Sequence, residues 1–185
     1  MKLLIINGNP KMDGLCATML QKATEGACAG KADVVMLSTS GINGCQVCED
    51  GWGICKIEHR CIQKDDVFSK LHEEVRKADA FCFITPVYWG EVSETLKSFL
   101  DRVRRCEFGQ TGAFSNKPIL LIASPGGSGN GLLTCLEQMD RFCRHVGSQI
   151  FDYIGVNRWN SDYKGKAIYE AMYHMAQGRK AGETV

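Results

Sequence analysis

Leu3-Leu4-Ile5-Ile6-Asn7-Gly8-Asn9-Pro10-Lys11-Met12-Asp13-Gly14-Leu15-Cys16-Ala17-Thr18 decides how this chain folds. A short continuous apolar run ends in a Gly- and Asn-rich turn, and helical spacing starts at once through Cys16, Met19, Leu20, Ala23 and Ala27. That order reads as strand, tight loop, helix. Glycines and Asn let the backbone turn sharply, the helix start presents free N–H groups, and Lys11 adds a cation, so the loop suits a phosphate. An ordinary strand-to-helix turn explains the same residues equally well.

Working outward, similar apolar runs recur at Val34 to Leu37, Ala80 to Thr85, Ile119 to Ser124 and Ile150 to Val156. Amphipathic stripes lie between and after them: Val67, Phe68, Leu71 and Val75; Val92, Leu96, Phe99, Leu100 and Val103; Leu132 to Val146; and Ala167 to Met175. Each crossover helix must bury its stripe against the sheet, so the pattern predicts an α/β, doubly wound, five-stranded parallel sheet with helices on both faces. Ligands of such folds sit beyond the carboxyl ends of the strands. The informative residues are therefore those immediately after each strand.

Composition narrows the function classes. The 185 residues carry 22 Lys plus Arg against 21 Asp plus Glu, a formal charge of +1, with no basic stripe, which argues against a nucleic-acid partner. The first apolar run is too short for a membrane span or a signal segment, so a cytoplasmic protein without a membrane partner is expected. Ten cysteines then read as reduced thiols serving metal, redox or packing roles. Residues 1–185 read as a single domain, with a cysteine-rich loop at about 38–65 as its one insertion and a tail that frays after Gln177.

Two more strand-end loops are specialised. Thr85-Pro86-Val87-Tyr88-Trp89-Gly90 offers aromatic faces on which a planar ring could stack, although such a pair more often caps a core. Ser124-Pro125-Gly126-Gly127-Ser128-Gly129-Asn130-Gly131 has almost no side-chain bulk, so its amides can approach the edge of a ring. A phosphate cradle, a stacking loop and an amide loop together suit a phosphorylated planar cofactor.

At these loops the chain resembles the NADPH-dependent FMN reductase family, which is flavodoxin-like. Its first loop is similar to that family's G-S-P-R-x-x-G-N-T, its second to P-V-Y-x-G-x-V-S, followed by L-K-x-F-x-D-R at Leu96, Lys97, Phe99, Asp101 and Arg102. The resemblance implies an FMN-dependent oxidoreductase passing electrons from NAD(P)H to a quinone, flavin or other small acceptor. It places Asn9, Lys11, Leu15 and Cys16 near the phosphate, Pro86, Val87, Tyr88, Trp89 and Gly90 along the isoalloxazine, and Ser124, Gly126 and Gly127 at the pyrimidine edge. No acid–base residue or nucleophile is required of the protein, and a homodimer or homotetramer is implied. Asn9, Lys11 and Leu15-Cys16 depart from the family's Ser, Arg and Asn-Thr, which removes one hydroxyl donor to the phosphate.

The insertion contains Cys45, Cys48, Cys55 and Cys61, spaced C-x2-C-x6-C-x5-C. Thiolates on one short loop can surround an iron–sulfur cluster or a zinc ion, with His59 able to replace one thiol, and they can equally be plain thiols. The segment is similar to the cysteine loop of iron–sulfur flavoproteins, a branch of the same family with a more compact C-x2-C-x2-C. That likeness implies a [4Fe–4S] cluster on the four cysteines and, as an alternative function, an electron carrier reduced by ferredoxin. A flavin-free binding or regulatory module is the third reading. Asp101 and Arg102 are expected to be structural, and His72, His145 and His174 to be surface or satisfied histidines.

Overall fold

The computed structural model describes residues 1–109 and 112–179, so most of the tail expected to fray lies outside the described residues. Strands β1 (Lys2–Asn7), β2 (Asp33–Ser38), β3 (Ala80–Pro86), β4 (Pro118–Ser124) and β5 (Gln149–Gly155) alternate with helices α1 (Gly14–Ala29), α2 (Phe68–Lys77), α3 (Glu94–Cys106), α4 (Leu132–Val146) and α5 (Ser161–Ala176). A short 3-10 turn, Ile54–Lys56, interrupts the cysteine-rich loop. The sheet order is β2-β1-β3-β4-β5, every pairing parallel. This is the flavodoxin-like winding, whose order reverses between β1 and β3 and so opens a crevice at their carboxyl ends.

Period-two alternation along the central strands builds two cores. Leu4, Ile6, Phe81, Phe83, Ile119 and Leu121 point to one face, where α2, α3 and α4 bring Phe68, Phe99, Val103, Met139 and Phe142. Leu3, Ile5, Cys82, Ile84, Leu120 and Ile122 point to the other, covered by Met19 and Ala23 of α1 and Ile168 and Met172 of α5. Burying each such large apolar side chain contributes about 1.5–3 kcal/mol. The continuous apolar runs predict strands covered on both faces, and β1, β3 and β4 are; β2 and β5 lie at the sheet edges and remain half exposed.

On the α2–α3 side, His72 is buried and its Nε2 lies 2.6 Å from Glu107 Oε1, so it is a satisfied histidine. Burial works against ionisation of Glu107, yet the hydrogen bonds from His72 and the Ala113 N–H, with the charges of His72 and Arg76, hold its carboxyl down at about 2. The unfolded chain therefore takes up this proton first. The contribution is fully present above the ordinary carboxylate range and is lost as pH falls from about 4.5 toward 2. Glu107→Gln is expected to lower the urea midpoint at pH 6, with the gap to wild type narrowing at pH 3. A gap that stays constant with pH would remove this assignment.

Candidate functional site

The three strand-end loops meet over the crevice, and backbone bonds lock each to the next. Gly8 N–H donates to Ile84 O at 2.7 Å, and Val87 N–H to Ser124 O at 3.0 Å. Ser93, the N-cap of α3, donates to Gly8 O at 2.5 Å and receives Leu96 N–H at 3.3 Å, so one hydroxyl ties the first loop to the third helix. A Cβ on Gly131 would stand 2.5 Å from Gly90 Cα, and both have positive φ. The stacking loop and the glycine-rich loop can touch this closely only as glycines.

Between the loops lies an open cleft of about 600 Å³. Asn9, Lys11, Leu15, Cys16, Pro86, Val87, Tyr88, Ser124 and Gly126 line it, so the structure brings together nine of the residues singled out from the sequence. Trp89 and Gly90 instead line an adjoining recess with Ser128 and Thr134, continuous with the cleft through Val87 and Gly126. Gly127 is among the lining residues of neither. Trp89 is fully exposed at a φ of 52°, so of the aromatic pair only Tyr88 lines the cleft itself.

The loop after β1 is held by its own side chains. Asn7 Oδ1 accepts from Asn9 N–H at 2.9 Å, and Asn9 spans the turn with Nδ2 on Asp13 O at 3.2 Å and Oδ1 accepting Lys11 N–H at 3.3 Å. Asn9 thus shapes the loop. Asp13, the N-cap of α1, makes no side-chain capping bond, which leaves the first-turn N–H groups open to an anion. Burial pushes the Cys16 thiol up to about 11, with only partial opposition from its hydrogen bond to Ser124, so it stays neutral beneath the cleft. Gly14, Thr18, Asp13 and Arg158 also line the cleft and were not selected from the sequence. Arg158 had a readable signal, being a cation three residues after β5 in a fold that binds at strand ends.

These residues fit a flavin phosphate cofactor. Lys11, Arg158 and the uncapped helix start supply positive charge to the cleft, and a Cβ at Gly126 or Gly127 would meet nothing within 4 Å, so packing of the protein alone does not fill that space.

The cysteine-rich loop forms a second, smaller recess between the end of β2 and α3. Cys45, Cys48, Cys55 and Cys61, all half-buried, line it together with Gln63, Arg102, Arg105 and Cys106. Among the described residues no three His, Cys, Asp or Glu side chains converge closely enough to hold a single metal ion. His59 turns its Nδ1 to Cys106 O, 3.1 Å away, rather than toward the thiols. The space they line is about 20 Å³, room for about one water molecule. Arg102, expected to be structural, forms a buried ion pair with Asp66. Asp101 pairs with Lys97 one turn away on the surface.

The family model described as NADPH-dependent FMN reductase matches residues 1–160. An iron-sulfur flavoprotein of Archaeoglobus fulgidus is 34% identical over 110 residues, 59% of this chain and 52% of its own length, so the chain spans about half of that relative. An iron-sulfur flavoprotein of Methanocaldococcus jannaschii is 27% identical over 92% of this chain and 84% of its own. The fold is shared with a solved NAD(P)H:quinone oxidoreductase from Methanothermobacter marburgensis, at a TM-score of 0.71 and 16% identity, covering 95% of this chain and 96% of that one.

Proposed function

The chain belongs to the NADPH-dependent FMN reductase family, and on that footing we propose that it is an FMN-dependent oxidoreductase passing electrons from NAD(P)H to a small acceptor such as a quinone or a flavin. The observation that carries this reading is the cleft of about 600 Å³ at the strand ends, lined by Lys11 and Arg158 and by Pro86, Val87 and Tyr88. FMN, when bound, supplies the chemistry of accepting hydride and releasing electrons. The protein's part is to bind and orient.

In this reading Lys11, Arg158 and the N–H groups at the start of α1 hold the phosphate, and Thr18, which lines the same cleft, offers a hydroxyl two residues after the one lost at position 16. Neutral Cys16 adds no charge against it, whereas Asp13 does, which makes the two cations necessary. Pro86, Val87 and Tyr88 flank the ring, and amides of the Ser124 to Gly127 loop reach its pyrimidine edge, where negative charge collects on reduction. The open mouth beside Trp89 leaves room for donor and acceptor in turn.

The family match favours direct turnover of NAD(P)H over a carrier reduced by ferredoxin, and the built cleft favours it over a flavin-free module. A [4Fe–4S] cluster on Cys45, Cys48, Cys55 and Cys61 does not fit the recess those residues line, which has room for about one water molecule, so it supplies no electron path here. A cytoplasmic setting is part of this reading, and no helix among the described residues is long and apolar enough to cross a membrane. Residues 1–185 act as one FMN-binding domain, and the exposed Trp89, Trp159 and Tyr163 at the strand-end side suit a homodimer or homotetramer.

The test is anaerobic. Purified protein incubated with FMN and freed of excess should retain about one flavin per chain, by analogy with preformed cofactor sites, and its flavin absorbance should bleach on addition of NADPH or NADH. Failure to retain FMN would overturn the cofactor assignment, and retained flavin that ignores both nucleotides would overturn the donor.

A further inference from the structure

Trp89 combines two unfavourable features. Its backbone is left-handed, in a region that bulky side chains avoid, and its large apolar ring is fully exposed to water. Tyr88 N–H donates to Glu91 O at 2.9 Å and Glu91 N–H to Tyr88 O at 3.0 Å, so Trp89 and Gly90 are the two central residues of a tight turn, both at positive φ. Asn-Gly is the pair that such a turn favours. Strain of this kind gathers at ligand sites and persists where the surrounding structure imposes it.

Here the imposing structure is α4 and the end of β4. The bond from Val87 N–H to Ser124 O ties one arm of the turn to the sheet. From α4, Thr134 Oγ1 donates to Gly90 O at 2.9 Å, and Gln138 Oε1 accepts Val92 N–H at 2.9 Å. The turn is therefore a fixed support, and Trp89 stands on it in the wall of the recess beside the cleft. That recess, about 460 Å³, has a size usual for small-molecule sites. Val87, Trp89, Pro125, Ser128, Asn130 and Thr134 line it with three glycines, and none of these side chains ionises, whereas Lys11, Asp13 and Arg158 line the cofactor cleft. An ionised ligand entering the recess would give up water without meeting a counter-charge. A neutral planar ring gives up little and gains an aromatic face. Ser128 Oγ accepts Asn130 N–H at 3.2 Å, and its O–H is a donor that a ring carbonyl could meet.

We propose that this uncharged recess is the acceptor site, that it takes an electroneutral planar ring such as a quinone without ionised groups, and that Trp89 is the residue that selects for it by stacking. The proposal rests on the reading that FMN fills the adjoining cleft. It adds the class of acceptor and the residue that recognises it. The balance is that of the proposed activity: NAD(P)H, one proton and the quinone become NAD(P)+ and the hydroquinone. A stacking face held rigidly before the ligand arrives loses little freedom on binding, which is what the anchored turn provides.

The experiment uses the FMN-loaded chain, reduced anaerobically with stoichiometric dithionite so that the nucleotide step plays no part. Wild type, Trp89→Ala, Trp89→Phe and Leu133→Ala are mixed with rising concentrations of menadione, an uncharged naphthoquinone, or of a naphthoquinone sulfonate, and flavin reoxidation is followed by absorbance. Leu133 is an exposed apolar residue at the start of α4, outside the recess. Trp89→Ala should raise the menadione concentration at half-saturation about threefold to tenfold, the worth of an aromatic pair, with a smaller change in the limiting rate. Trp89→Phe should recover most of that loss, and Leu133→Ala should match wild type. In wild type the sulfonate should need a higher concentration than menadione. Equal half-saturation in Trp89→Ala and wild type, with FMN bound in both, would overturn the acceptor site and leave the cofactor reading standing. A sulfonate that saturates as readily as menadione would overturn the ligand class. A Trp89→Ala variant that releases FMN, or changes oligomeric state by light scattering, would assign the ring to the cofactor or to a subunit contact, against the proposal. Wild type that retains no FMN would overturn the cofactor reading and the proposal with it.

Discussion

Asp66→Ala should destabilise the protein by about 3–5 kcal/mol, the range for removing one partner of a buried ion pair. The side chains of Asp66 and Arg102 are 1% and 0% exposed. Asp66 also accepts Asn43 N–H at 2.8 Å and Phe68 N–H at 3.0 Å, closing the cysteine-rich loop and starting α2. Alanine would leave an uncompensated guanidinium in the interior and two backbone donors without their acceptor. Burial alone would raise the Asp66 pKa, and the Arg102 bond and the two N–H groups reverse it, holding the carboxyl below its usual range. The contrast is Lys97→Ala, which breaks the half-exposed pair with Asp101 on the same helix and should cost about 0.5 kcal/mol or less. Urea unfolding at pH 7 reads both. Similar losses for the two variants would mean that the buried pair is not what fastens the loop to α3.

That pair also shows where sequence reading ends. The strands and helices were legible because apolar residues run unbroken along β1 as Leu3, Leu4, Ile5 and Ile6 and recur at helical spacing from Cys16, a local pattern that tertiary packing only confirms. The cleft was legible because a parallel sheet puts its loops at one end, so loop composition could be read as site composition. Arg102 could be read as structural, but its partner could not, since Asp66 lies 36 residues away and nothing in the local pattern joins them. Arg105 gave no signal either. It follows a run of charged residues on an amphipathic helix, and only the fold shows that its Nε lies buried beside thiols from a different loop. Nor could the sequence show that Trp89 has a left-handed backbone and an exposed ring.

Arg158, which lines the cleft and was not selected from the sequence, has the most direct consequence for the cofactor. Lys11→Ala should weaken FMN binding by about 1–3 kcal/mol, and Arg158→Ala by a similar amount at the lower end, because a charge-assisted bond to phosphate is worth more than a neutral one but an exposed arginine is partly screened. At about 1.4 kcal/mol per factor of ten, each change corresponds to roughly a tenfold to hundredfold rise in Kd. The double variant should bind more weakly than either single one, since the two cations reach the cleft from different loops, after β1 and after β5. A fold defect would also weaken binding, so riboflavin supplies the control: it carries the same ring without the phosphate. If Lys11 and Arg158 act on the phosphate, riboflavin affinity stays at its wild-type value while the preference for FMN over riboflavin collapses, and the remaining FMN affinity loses most of its salt dependence. Equal losses for both flavins would move these residues from phosphate binding to shaping the loop, leaving the N–H groups of α1 as the anion site.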